Sequence, residues 1–312
     1  MSSFNLVSNI GNSGPISVLE DNIKSFLDWS FLNIGAFVNI TIPDSGIVGG
    51  VFHELKPVLD PSLPQNRVWE APRKDWVYET GLTYTDNTPI QISGIYLNNN
   101  FIPGPTGSGR YSYSINYPLG RITFDNIIGA TSTVSLDYSY RYVQVYKANE
   151  SPWWKQLEEQ SYDPSNFKNN GDYNITANHR VQLPAIIIEM APRTILTPYE
   201  LGNTTNIITQ DILLHIFAES PVQRDNIISL LLLQKDKSLH LYDVNKVIKN
   251  NVQPLDHQGQ PNPNRLNFNE LVTNPLYRYK YYTLKNISMS ELNIITAGLY
   301  NGIIRLSVEI FP

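Results

Sequence analysis

The sequence predicts an α+β protein. It has an N-terminal helix, a β-rich region of sandwich or barrel type, and a C-terminal α+β domain in which a helix packs on a small sheet. Three observations carry this. Near the N-terminus Leu19, Ile23, Phe26, Leu27 and Phe31 recur at helical spacing, with Asp21, Asn22, Lys24 and Asp28 between them. Through the middle, short runs rich in Tyr, Ile and Val alternate with Gly, Pro and Asn punctuation, the pattern of paired strands. Beyond residue 180, apolar strand-like runs flank one well-capped helix, in the stretch HIFAESPVQRDNIISLLLLQ.

The first helix is expected over residues 16–34. Ser17 and Glu20 have capping-box spacing, in which hydroxyl and carboxylate satisfy the orphan N–H groups of the first turn. Ile34 to Ile42 leads from the helix end at Gly35 into a strand. Gly46, Gly49, Gly50, Pro57, Pro61 and Pro64 then mark an extended loop. Strands are expected at Trp76–Tyr78, at Ile90–Ser93, and in a hairpin that turns through Asn98–Asn100. A second hairpin runs Tyr111–Tyr117 and Arg121–Asp125, with Pro118 and Gly120 placed for a type I turn. Thr133–Tyr146 reads as one long strand whose alternation changes phase at Tyr140–Tyr142, which calls for a bulge or bend.

Residues 147–180 are polar, with a short helix expected at Pro152–Glu159. Further on, strands are expected at Ala185–Met190, Ile207–Phe217, Leu239–Tyr242, Tyr277–Leu284 and Ile303–Phe311. RTILTPYELGN reads as a connection, and residues 251–267 as a long loop. The helix at 221–234 has Ser220 as N-cap, Pro221 at its first position and Gln223 completing the box. Ile227, Ile228 and Leu230–Leu233 then cover most of its circumference, so the helix is expected to need two covers, its own sheet and either the N-terminal helix or a neighbouring subunit. The expected domains are 1–42, packing on the C-terminal domain, 43–150, a connector at 151–180, and 181–312.

Composition narrows the function classes. Of 312 residues 41% are hydrophobic and only 16% charged, against about a quarter charged in a typical soluble domain. Asn, Ser, Thr and 19 Tyr make up the shortfall, giving a polar but weakly charged surface suited to an extracellular protein or to one buried in an assembly. The net charge of -5 and the absence of a basic run speak against tracking a phosphate backbone. With no cysteine there is no disulfide, thiolate zinc site or cysteine nucleophile. The opening MSSFNLVSNIGNSG lacks a basic n-region and a long apolar core, so no signal peptide is expected. No apolar window approaches the roughly 20 residues of a membrane span.

No motif points to catalysis. His53, His179, His215, His240 and His257 never fall at metal-pair spacing. Gly104–Arg110 lacks the strand–loop–helix setting of a phosphate loop and reads as a loop tip. Glu70, Asp75 and Glu79 lie among aromatic residues, as in a glycosidase cleft or as in the polar rim of a buried anchor. Trp69, Trp76, Trp153 and Trp154 have three open readings: β-core, protein interface and sugar platform. No enzymatic activity, metal or cofactor is expected. Interface candidates are Ile228, Leu232 and Leu233 on the greasy helix, together with those four tryptophans.

The order of elements adds a resemblance. Glu200–Gly202 precedes a strand ending in His215-Ile-Phe-Ala-Glu219, then a capped helix that opens Pro-x-x-Arg-Asp and carries a leucine-rich body. This resembles the neck and tail-completion proteins of tailed bacteriophages, tail terminators among them. RVWEAPRKDWVYETGLTY, ISGIYLNNNFIPGP, INYPLGRITFDNII and LEDNIKSFLDWSFLNIGAFVNI look like phrases from virion structural proteins of large tailed phages. These stretches touch about a third of the chain. The resemblance implies a tail terminator-like C-terminal domain and a self-assembled ring at the head–tail junction, a hexamer or alternatively a dodecamer. Such a ring caps the tail tube, docks the tail to the head and contacts tube, sheath and connector proteins. DNA would pass through its channel without specific binding. It also implies a virion location after assembly in the host cytoplasm, with no membrane partner. The alternatives are another virion station (baseplate, sheath or fibre attachment) and a carbohydrate-binding β module.

Overall fold

The computed structural model describes residues 14–42, 52–104, 109–151, 167–168, 172–176, 179–200, 206–296 and 298–311. It is a β-rich α+β protein with few helices, an N-terminal helix ahead of the strands, and sheets that curl as half-barrels. The chain divides into two compact units, Met1–Ser30 with Val143–Asn251 and Phe268–Pro312, and Phe31–Tyr142 with Val252–Asn267. This differs from a division at 42, 150 and 180. The chain crosses between units at Tyr142/Val143, and residues 252–267 return to the β-rich unit.

Helix α1 spans Pro15–Asn33. Ser17 therefore lies inside its first turn, and the expected cap at Ser17 is not formed. In the β-rich unit the strands are β1 (Phe37–Ile40), β2 (Glu54–Pro57), β3 (Val68–Glu70), β4 (Gly94–Leu97), β5 (Asn100–Pro103), β6 (Tyr113–Asn116), β7 (Arg121–Phe124), β8 (Val134–Ser135) and β9 (Tyr138–Arg141). Seven of them form one antiparallel sheet, ordered β5-β4-β8-β2-β3-β7-β6, and β1 pairs with β9. Both expected hairpins are present. β4 turns into β5 through Asn98 and Asn99, at φ 51° and 66°, a left-handed pair that asparagine tolerates. β6 turns into β7 through Tyr117–Gly120.

Two expected strands differ. Trp76 makes only a single bridge to Tyr140, and Ile90–Ser93 is not a strand. Thr133–Tyr146 is not one bent strand but β8, β9 and β10 (Gln144–Lys147), and the last belongs to the other unit. The phase change at Tyr140–Tyr142 marks a unit boundary, not a bulge. Residues 252–267 close on the β-rich unit through Tyr117 N–H to Gly259 O (3.0 Å) and Asn116 Nδ2 to Gln258 O (2.9 Å).

The α+β unit is built on a six-stranded sheet. Its further elements are β11 (Phe167–Lys168), β12 (Asp172–Thr176), β13 (His179–Gln182), β14 (Ala185–Pro198), β15 (Asn206–Ala218), α2 (Pro221–Leu232), β16 (Ser238–Tyr242), α3 (Val244–Lys249), α4 (Phe268–Thr273), β17 (Arg278–Thr296) and β18 (Leu299–Phe311). The sheet order is β10-β14-β15-β18-β17-β16, with β10–β14 parallel and the other pairs antiparallel. β11, β12 and β13 form a separate three-stranded sheet. Three strands run well past their expected ends. β14 includes Arg193–Pro198, expected to be a connection, β17 reaches Thr296, and β18 starts at Leu299.

Alternation gives the six-stranded sheet two different faces. Ile208, Ile212, Leu214 and Ile216 of β15 lie on one face and are buried. Helices α1 and α2 cover it, with Phe26, Leu27 and Leu231 facing Leu214, Leu284 and Leu306 across an apolar crevice of about 310 Å³ that is partly open to solvent. The opposite face carries the ion pairs Asp211–Arg305 (2.6 Å), Glu309–Lys285 (3.6 Å) and Glu189–His215 (2.9 Å), beside a small apolar cluster of Ala185, Ile187, Phe217 and Leu299. α1 is tied to β16 at Tyr242 by two side chains, with Ser25 Oγ 2.9 Å from Tyr242 Oη and Asn22 on the backbone. The buried Asn22 amide donates to Tyr242 O (3.0 Å) and accepts from Tyr242 N–H (2.8 Å), standing in for a neighbouring strand.

Candidate interaction surfaces

Helix α2 has the N-cap its sequence predicts but not the full box, since Gln223 Oε1 does not bond back to Ser220 N–H. Ser220 is extended at φ -134°, its Oγ accepts from Gln223 N–H (3.2 Å), and Pro221 occupies the first turn. The helix buries a single ridge, Arg224, Ile227, Ile228 and Leu231, at i, i+3, i+4 and i+7. Ile228 seats over Gly302 of β18, where an added Cβ would lie 2.8 Å from Ile228 Cδ1, so the glycine sets how closely the helix approaches. Arg224 is buried in the same contact. Its guanidinium donates to Asn293 O (3.4 Å) and Asn301 O (3.5 Å), pairs with Asp225 (2.9 Å) and lies 5.9 Å from the Tyr300 ring centre.

The opposite ridge of α2 is exposed. Val222 is 66% exposed and Leu233, just past the last turn, 78%; Leu230 between them is 38% exposed. At 100° per residue these three fall on one side, opposite the buried ridge. Of the two covers expected, the chain supplies its own sheet, and the other side of the helix, where Asn226 and Ser229 lie among Val222, Leu230 and Leu233, is exposed. On the same side of the sheet, Met289, Leu292 and Ile294 of β17 are 44–70% exposed, and Leu292 reaches the Gly302 contact.

The expected interface residues separate accordingly. Leu233 is exposed and Leu232 half-buried. Ile228 belongs to the chain's own core and presents nothing to a neighbour. Trp69 (2% exposed) and Trp76 (0%) sit inside the β-rich core, Trp76 against Tyr117 and Tyr138, so neither forms a sugar platform or a docking surface. Trp153 and Trp154, the helix expected at Pro152–Glu159, and Leu201 and Gly202 of the ELG motif lie outside the described residues. Sequence reasoning missed Val222, and it missed Ile195 and Leu196 by reading their segment as a connection.

The remaining chemistry is structural. Glu70 binds Arg121 (2.5 Å) and Lys74 (3.1 Å), and Arg141, itself buried, bridges Asp75 (3.4 Å) and Glu79. Each of the three carboxylates considered for a glycosidase is thus an ion-pair tie in its own unit. His240 packs edge-on to Tyr281, and burial, then the nearby Arg278 charge, pushes its pKa down. Among the described residues no group of three metal-capable side chains converges, and no helix is long and apolar enough to cross a membrane. No protein-family model matches the chain, and no curated protein matches it either.

Proposed function

We propose that the chain is a virion structural protein of a tailed phage that acts by self-assembly. In this reading it forms a ring at the neck, where it ends the tail tube and offers the head a docking face. The observation that supports it best is the exposed ridge Val222–Leu230–Leu233 on a helix whose other ridge is firmly seated. Three exposed apolar side chains along one side of a helix, with Asn226 and Ser229 among them, on a weakly charged protein are chemistry for protein contact, and a patch that meets a different patch on the next copy builds a ring where the rotation closes. We further assign the α+β unit to the tail-terminator type. The support is the passage from β15 through Ser220-Pro221 into a helix lying on the sheet, together with the sequence resemblance. The mechanism is geometric: ring closure stops tube growth, and DNA passes without specific contacts.

Light scattering of the purified chain, with Val222→Glu/Leu233→Glu as the variant, tests this. The wild type is expected to form one defined ring that binds tail tubes, and the variant to lose that ring with its fold intact. A wild type that stays monomeric and leaves tubes unbound sinks the reading. A ring that binds baseplate or sheath and not tube would instead place it at another virion station.

A further inference from the structure

Among the described residues the six-stranded sheet has two long free edges, and they differ. β17 beyond Leu284 shows three register shifts, at Leu284/Asn286, Met289/Glu291 and Ile294/Thr296, and carries Lys285 and Glu291. Bulges and charges of this kind blunt an edge against further pairing. β14 is paired on its outer side by β10 only through Ala185–Ile188, and among the described residues no strand flanks its remainder. Its own irregularity ends early. The register breaks between Met190 and Thr194, next to Pro192, and then runs regularly from Thr194 to Pro198 opposite Gln210 to Asn206. Gln210 pins the break, donating to Ala191 O (2.6 Å) and contacting Thr194 Oγ1. β15 is held in turn by β18, with Ile208 opposite Ile310. The result is an in-register edge with no charge from Thr194 to Pro198, followed by Tyr199 in a bend. It shows Ile195, Leu196 and Tyr199 to solvent at 39%, 61% and 49%.

We propose that this edge pairs antiparallel with the same edge of a second copy, across a two-fold axis at Leu196. An exposed strand edge selects an extended backbone as its partner, and the side chains favour this one. Opposed residues must share a sheet face, which a register centred on Leu196 satisfies. That register places Leu196 against itself and Ile195 against Thr197, while Thr194 meets Pro198, which has no N–H to give, so the regular ladder is short and centred on Ile195–Thr197. No like charges meet. The contact is isologous. It uses a surface separate from α2, so it stands or falls independently of the ring.

The test uses the full chain carrying Leu233→Glu, which removes the α2 contact from the readout. Sedimentation across a wide concentration range should show a reversible monomer–dimer equilibrium, with amide exchange at 194–198 slowing as dimer forms. Leu196→Lys and Leu196→Glu, both at an exposed position, should each weaken it about tenfold or more, and mixing the two should restore it. A mixture that associates no better than either variant alone overturns the proposal, as does exchange at 194–198 that ignores concentration. Association of the wild-type chain that survives both Leu196 variants but is lost in Leu233→Glu also overturns it and leaves the ring reading standing. The reverse pattern supports the strand contact and removes the ring.

Discussion

Asn22 shows how far a single residue can be read. By spacing it belongs to the polar side of α1, yet it is fully buried, because its amide completes the hydrogen bonding of Tyr242. Nothing local marks that role; the partner is 220 residues away. Asn22→Ala should therefore cost about 2–4 kcal/mol in denaturant unfolding, since it leaves a buried backbone N–H and C=O unpaired. Glu20, on the same helix, makes an opposite case. Desolvation raises its pKa above the ordinary 4.5, with Asp21 and Glu150 adding to the rise against the pull of Lys147. A carboxyl raised on folding binds its proton more tightly in the folded state. Its ionisation therefore withdraws stability as pH climbs from about 4.5 through the folded pKa. Glu20→Gln should stabilise the protein at neutral pH, and the gain should vanish below pH about 4, as followed by melting temperature against pH. Equal shifts at both ends of the range would mean that Glu20 is not penalised when charged.

At the scale of elements, legibility followed burial. α1 and α2 were readable because each repeats apolar residues at helical spacing over several turns, and α2 adds Ser220 as N-cap. Ser220→Ala should cost about 1 kcal/mol in thermal or urea unfolding, and its cap bond to Gln223 N–H is the reason. What spacing could not reveal was which side of α2 is covered, since apolar residues occupy both ridges. The same limit hid the outer half of β14. A strand exposed on both faces has no apolar–polar alternation to betray it, and Pro192 and Pro198 bracket RTILTP as they would a loop. Only its pairing with β15 makes it a strand, and pairing is not a local property. β17 was cut short for the same reason, its distal half being largely exposed and three times out of register.

At the scale of the molecule, the α+β class was legible from the sequence, while the segmentation into units was not. Each unit is assembled from discontinuous pieces, so composition along the chain blurs at Tyr142 and again at 252–267. Of the expected site, Leu233 remained at the surface while Ile228, Trp69 and Trp76 went to the interior. Aromatic and branched residues serve cores and interfaces alike, and exposure alone separates the two roles. Assembly through the exposed side of α2 is decided by the mass of the intact chain beside that of Val222→Glu/Leu233→Glu. A closed, defined oligomer is expected for the former and its loss, with an unchanged circular dichroism spectrum, for the latter. Identical masses for the two proteins at every concentration would contradict it.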